Sequence, residues 1–70
     1  MSEFGKRMKL ARKRKGLTQE ELARRINSTP KTIHAYEAGT RGKFRPNIQL
    51  VFRIADELDV SIQWLLKGVD

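Results

Sequence analysis

Two short helix-forming segments lie only three residues apart in this 70-residue chain, and no other feature restricts its fold as strongly. The first, TQEELARRI, opens with Thr18 and has Glu21 three residues later, the spacing of a helix capping box. The second, PKTIHAYE, follows Thr29, a good N-cap residue, and has Pro30 at its first helical position, where a missing N–H costs almost nothing. A link as short as NST, residues 27–29, forces the two helices into a sharp angle.

Further start and stop residues predict three more helices and no strand. Gly16 and Asn27 are residue types that adopt left-handed backbone geometry and so end helices, while Asn47 and Ser61 are placed as N-caps. We therefore predict one all-α domain over residues 1–70, a compact bundle of five helices. Its second and third helices meet at a sharp angle, as in a helix-turn-helix, although this argument alone leaves other helical hairpins possible. The expected boundaries are about 4–15, 19–26, 30–37, 48–58 and 62–66.

Apolar residues at helical spacing predict a single core shared by all these helices. The expected inward residues include Phe4, Met8, Ala11, Leu17, Leu22, Ala23, Ile26, Ile33, Tyr36, Ile48, Val51, Ala55 and Leu58. Ala23 has to be small, because a bulky side chain there would keep the third helix from crossing the second closely. Only Ile33 and Tyr36 anchor the third helix, so its other side is expected to face solvent.

The charge is large and uneven, with 15 Lys and Arg against 8 Asp and Glu. Residues 1–47 alone carry 13 basic and 4 acidic side chains. A one-sided basic field indicates an anionic partner, with nucleic acid ahead of a membrane surface. We expect no membrane partner, since no helix pairs a basic face with a Trp, Phe and Leu face.

The residue types that support catalysis or metal binding are scarce. The chain has no cysteine and one histidine, and it lacks a Gly-rich loop that could cradle a phosphate. We therefore predict no enzymatic activity, no cofactor and no metal site. The N-terminal segment lacks the apolar run of a signal peptide, which favours a cytoplasmic protein.

Two long runs, GLTQEELARRINSTPKTIHAYEAG and RPNIQLVFRIADELDVSIQWLLKG, resemble the helix-turn-helix domain of phage repressors and Cro proteins, the lambda-repressor-like family. The resemblance extends from Phe4 to Gly68. It implies sequence-specific binding of double-stranded DNA by a transcriptional repressor or regulator, with the third helix in the major groove. It also implies a near-palindromic operator and a homodimer, at least on DNA.

The outer side of the third helix is predicted to contact bases. Lys31 matches a family position that reads base edges, and its ammonium group can donate to guanine O6 and N7. Pro30, His34 and Ala35 match neighbouring positions that touch bases or phosphate in family members. The apolar groups of Pro30 and Ala35 suit the thymine methyl, while His34 can donate to guanine N7 or remain solvated.

A second set of residues is predicted to contact phosphates. Gln19 matches a phosphate-contacting position of the family, and the Thr18 hydroxyl lies at a helix N-terminus, which attracts anions. Thr32 matches a position that touches bases or phosphate in various members, and its hydroxyl is expected to bond phosphate. Three basic residues of the loop after the third helix should track the backbone without reading sequence: Arg41, Lys43 and Arg45.

Two pairs of residues are expected to support binding from outside the DNA contacts. Arg12 and Glu37 match a buried ion pair that, in similar proteins, ties the first helix to the end of the third. Leu50 and Phe52 are hard to place inward with the rest of the fourth helix, and exposed apolar residues there could form a dimer seam. A monomer that dimerises only on its operator is equally compatible.

A different class of function remains open on the same fold, namely a protein-interaction module such as an antitoxin. An acidic or strongly apolar outer face on the third helix would favour that class. Here the face carries Lys31, Thr32 and His34, which favours DNA. The two functions can coexist, because an antitoxin often represses its own operon.

Overall fold

The computed structural model describes residues 3–39 and 46–69, and within these ranges it contains five α-helices and no strand. They are α1 (Glu3–Arg14), α2 (Gln19–Arg25), α3 (Pro30–Ala38), α4 (Ile48–Leu58) and α5 (Ile62–Lys67). The all-α class and the helix-turn-helix of α2 and α3 are confirmed. Each observed helix end lies within one residue of its predicted position. In the described ranges, no helix has the length and apolar character needed to cross a membrane.

Side chains cap the starts of four helices. In each case the cap accepts a hydrogen bond from the backbone N–H three residues later, which satisfies one of the donors that a helix start leaves open. The caps are Thr18, Thr29, Asn47 and Ser61. Asn27 and Asp59 take left-handed geometry after α2 and α4, with φ of 59° and 58°. The helix boundaries are therefore set by interactions that span only three or four residues.

One hydrophobic core is formed by residues from all five helices and by Leu17, which folds back onto it. Its buried members are Phe4, Met8, Ala11, Leu17, Leu22, Ala23, Ile26, Ile33, Tyr36, Val51, Ile54, Ala55, Leu58 and Leu65. Trp64 is half-buried and packs against this core from α5.

The predicted inner face of α4 was wrong at one position. Ile48 is 54% exposed, whereas Ile54, which the sequence prediction omitted, is fully buried at 0%. Because α-helical residues turn by about 100° each, Val51, Ile54 and Leu58 share one narrow face. Ile48 lies at the edge of that face and at the first residue of the helix, where its side chain reaches past the core.

The last turn of α3 is held from two sides through Tyr36. Its ring packs against that of Phe4 in α1, with centroids 6.3 Å apart and planes tilted by 59°. Its hydroxyl accepts a hydrogen bond of 2.8 Å from the backbone N–H of Asn47, the N-cap of α4. This tyrosine therefore joins the end of α3 to both α1 and α4.

A buried ion pair joins α1 to the same turn. Arg12 Nε donates to Glu37 Oε2 at 2.6 Å and Arg12 Nη2 donates to Glu37 Oε1 at 3.2 Å, with the two side chains only 8% and 2% exposed. The remaining Arg12 nitrogen, Nη1, donates to the carbonyl of Leu17 at 2.7 Å. Within the described residues, no buried side-chain nitrogen or oxygen lacks a hydrogen-bond partner. The pair is therefore fully satisfied, as a buried charge pair must be.

A second arginine fastens α5 to α1. Arg7 donates from Nε to the carbonyl of Leu65 and from Nη2 to that of Leu66, both at 3.0 Å. These carbonyls belong to the last turn of α5, where a helix leaves acceptors without intrahelical partners. The short fifth helix is thus held at its C-terminal end by a side chain of the first.

We expect Arg12→Ala and Glu37→Ala each to lower the free energy of unfolding by about 3–5 kcal/mol, because each strands a buried charge. The matched control is Arg25→Ala, which breaks the exposed ion pair between Arg25 and Glu57 (3.0 Å) and should cost less than about 1 kcal/mol. Urea unfolding at neutral pH measures all three. A double variant, Arg12→Met with Glu37→Leu, should lose less than either single variant. Equal losses for Glu37→Ala and Arg25→Ala would contradict this account.

Candidate DNA-binding surface

The start of α2 is fixed by a reciprocal pair of hydrogen bonds. The backbone N–H of Glu21 donates to Thr18 Oγ1 at 3.0 Å, and the backbone N–H of Thr18 donates to Glu21 Oε1 at 2.8 Å. The bond from the Thr18 N–H, and after it the Thr18 hydroxyl, stabilise the ionised carboxylate, so the pKa of Glu21 is held below its ordinary value. The carboxylate is therefore turned back onto its own helix start, and the exposed Thr18 hydroxyl stays at the surface.

Gln19, the first residue of α2, is oriented by the end of α3. Its Nε2 donates to Glu37 Oε1 at 3.1 Å, and its side chain is half-buried. An amide side chain has two N–H groups and an acceptor oxygen, so this bond uses only part of its capacity. Gln19 therefore sits at the junction of α2 and α3 with its head group already positioned.

The turn between α2 and α3 is stabilised by hydrogen bonds at both ends. The backbone N–H of Ser28 donates to the carbonyl of Ala23 at 2.7 Å. Thr29 then caps α3 by accepting from the N–H of Thr32 at 3.2 Å, and the two threonine hydroxyls lie 3.0 Å apart. Ala23 is buried, at 1% exposed, and the requirement for a small residue at this position stays a prediction.

The two sides of α3 differ completely in exposure. Ile33, Tyr36 and Glu37 are buried on the inner side. The structure places all four predicted base-contacting residues together on the exposed outer side: Pro30, Lys31, His34 and Ala35. Thr32 lies at the edge, half-buried and bonded to Thr29. The outer side of α3 thus offers one ammonium, one imidazole and two small apolar groups, and no carboxylate.

Three of the predicted phosphate contacts, Arg41, Lys43 and Arg45, lie outside the described residues. The other three, Thr18, Gln19 and Thr32, are at or near the starts of α2 and α3. Among the described residues, no group of three or more His, Cys, Asp or Glu side chains could hold a metal ion.

The bond between Gln19 and Glu37 is a feature that sequence reasoning missed. The two residues are 18 positions apart and belong to different helices, so no local pattern connects them. The contact between the hydroxyls of Thr29 and Thr32 was also missed, although two threonines three residues apart at a helix start are a detectable pattern.

The model of the helix-turn-helix family matches residues 8–65. The uncharacterized HTH-type transcriptional regulator YqaE of Bacillus subtilis (strain 168) is 38% identical over 65 residues, which cover 93% of this chain and 53% of the relative. Multiprotein-bridging factor 1 of Candida albicans is 41% identical over 59 residues, covering 84% of this chain and 37% of that protein. The chain therefore spans about half of the first relative and less of the second.

Solved structures match over nearly the whole chain. The P22 c2 repressor protein in complex with a synthetic operator superposes with a TM-score of 0.83 at 25% identity, covering 99% of this chain and all of that one (100%). SinR, the master regulator for biofilm formation, in complex with DNA gives a TM-score of 0.80 at 31% identity, covering 91% and 98% of the two chains. The family model matches far more than half of this chain, and the chain therefore belongs to the helix-turn-helix family.

Proposed function

We propose that this protein binds double-stranded DNA sequence-specifically and regulates transcription, with α3 in the major groove. The observation that carries the proposal is the two-sided character of α3: its inner side is fixed by buried contacts, and its outer side presents Lys31 and His34 without a carboxylate. A helix inserted in the major groove needs this combination of a rigid attachment and exposed donors. The similarity to two proteins solved with DNA supports the same function.

The proposed contacts divide into those that read bases and those that bind phosphate. Lys31 is the main polar reader, while Pro30 and Ala35 suit thymine methyl groups. Gln19 and Thr18 face the backbone of the DNA from the start of α2, and the basic loop residues add affinity that is independent of sequence. The excess of basic residues in residues 1–47 supplies the long-range attraction.

We also propose that the protein acts as a homodimer on a near-palindromic site, with a seam on α4. Phe52 is 57% exposed, and Ile48, one turn earlier, lies about 40° away on the same side of the helix. Leu50, the other residue predicted for this seam, is half-buried and packs against the core on the opposite flank of α4. The exposed pair Ile48 and Phe52 is therefore the better seam. A two-fold dimer requires half-sites about 34 Å apart, one turn of DNA.

Selection of bound duplexes from a random pool tests the proposed function. We expect a near-palindromic motif whose affinity exceeds that of its scrambled sequence by about 1,000-fold or more at fixed salt. Binding of both duplexes should weaken steeply as salt rises, because neutralised phosphates release counterions. If the selected and scrambled duplexes bind with equal affinity, the protein is not a sequence-specific regulator, and a protein-interaction module becomes the better description.

Lys31→Ala should relax the preference at one base-pair step, which amounts to about 1–3 kcal/mol of discrimination. Lys43→Ala should instead weaken every sequence alike and reduce the salt slope by about 1. Lys67→Ala, at the end of α5, is the control for loss of one positive charge and should retain the base preference. The three protein variants are distinguished by titrating each against duplexes in which one base-pair step of the selected sequence has been changed. A uniform loss in Lys31→Ala would refute its role as a base reader.

Phe52→Asp should abolish the dimer by placing a charge in an apolar seam. The control is Leu10→Asp on α1, which removes another exposed apolar side chain (45% exposed, against 57% for Phe52) and makes the same change in charge. Sedimentation with and without the selected duplex measures the assembly. We expect Leu10→Asp to bind the full site two-to-one and Phe52→Asp to occupy single half-sites without cooperativity. Loss of the dimer in both variants, or in neither, would place the seam elsewhere.

A further inference from the structure

Gly5 stands inside α1, although glycine is a poor helix former. Its backbone is not the reason, because the glycines with positive φ in the described residues are Gly16, Gly39 and Gly68. The reason is space. A Cβ atom built on Gly5 would lie 1.9 Å from the carbonyl oxygen of Glu37, 2.7 Å from its carbonyl carbon and 3.1 Å from its Cα. All three are backbone atoms, so a side chain could be accepted only if one helix moved.

We propose that Gly5 is a positioning residue. It sets how closely α3 packs against α1, and thereby the orientation of the surface that reads DNA. The proposal rests on the proposed function. Gly5 lets the backbone of α1 touch the last turn of α3 directly. No side chain lies between them that could adjust the distance.

The residues around this contact connect it to the proposed DNA-binding surface. Glu37 meets α1 twice, through its carbonyl at Gly5 and through its carboxylate at Arg12. The same carboxylate accepts the hydrogen bond from Gln19, so a shift of Glu37 also moves the anchor of a proposed phosphate contact. One residue earlier, Tyr36 packs against Phe4, the neighbour of Gly5.

A displacement at this turn is carried along α3 to its outer side. The helix is only nine residues long, and His34 lies one turn before Glu37. A binding constellation has to be held within about 0.5 Å of its productive geometry by the residues that support it. A methyl group at residue 5 requires more movement than that, since 1.9 Å is far inside van der Waals contact.

Gly5→Ala tests the proposal against Ile54→Val, a control that removes a methyl group from the buried face of α4. Three properties are measured: the urea midpoint, the backbone amide chemical shifts, and the ratio of affinities for selected and scrambled duplex. Gly5→Ala should unfold at lower urea even though alanine is the better helix former. Its shift changes outside α1 should concentrate in residues 30–38 and at Gln19. The affinity ratio should fall about tenfold or more, the equivalent of one lost base contact.

The control should lose stability, but its α3 shifts should match those of the wild type. Its affinity ratio should stay within about twofold of the wild type, because its base contacts are intact. A Gly5→Ala protein as stable as the wild type would overturn the proposal, as would one that is less stable but keeps both the α3 shifts and the ratio. If Gly5→Ala does not fold even in a stabilising osmolyte, Phe4→Leu loosens the adjacent contact without adding atoms at residue 5. Because loss of the Phe4 ring itself alters the shifts of neighbouring residues, the measurement in that variant is the affinity ratio, and an unchanged ratio would overturn the proposal.

These outcomes are separable from failure of the proposed function. If the wild-type protein prefers no duplex sequence, the proposal of specific DNA binding fails. The amide shifts of α3 still report whether Gly5 sets the position of that helix, because that measurement uses no DNA.

Discussion

The rest of this structure depends on the hydrogen bonds that the carboxylate of Glu37 accepts. It accepts two hydrogen bonds from Arg12 and one from Gln19, while Arg12 also donates to the carbonyl of Leu17. The group thereby joins α1, the turn after it, the start of α2 and the end of α3. A buried pair of charges is tolerated only when its geometry and its remaining hydrogen bonds are all satisfied. A displacement of either helix that broke these hydrogen bonds would leave a buried charge without a partner.

This arrangement explains how a helix with few apolar residues can be held rigidly. Within α3, Ile33 and Tyr36 supply the large apolar contacts, and the opposite side is left to solvent. What the helix lacks in apolar area is replaced at its ends. Thr29 caps its first turn, and its last turn is bonded through Glu37 to α1 and through Tyr36 to the start of α4. The residues of the outer side can therefore vary without loss of the fold, as the proposed recognition of different DNA sequences requires.

The parts of the fold that depend on neighbouring residues in the chain could be predicted from sequence. Those that depend on contacts between helices distant in sequence could not. Caps and left-handed residues act within three or four positions, so the helix ends were predicted closely. Periodicity gives the angle of a side chain around α4 but not how far the core extends along it, and so Ile48 was placed inside and Ile54 omitted. The pairing of Arg12 with Glu37 came from a family resemblance. The contacts of Glu37 with Gln19 and Gly5 depend on how whole helices meet, which no short pattern records.

In the proposed function, affinity and specificity for DNA depend on different parts of this small domain. The basic residues concentrated in residues 1–47 attract any duplex, since phosphate contacts carry no sequence information. Discrimination needs the outer side of α3 to keep one orientation while bound. A domain of this size buries only about 60% of its unfolded surface, so apolar packing alone is a weak source of such rigidity. The buried polar contacts at Glu37 and the side-chain-free approach at Gly5 supply it. Under the proposed function, the residues that determine specificity therefore include two buried ones, Glu37 and Gly5, besides those on the outer side of α3.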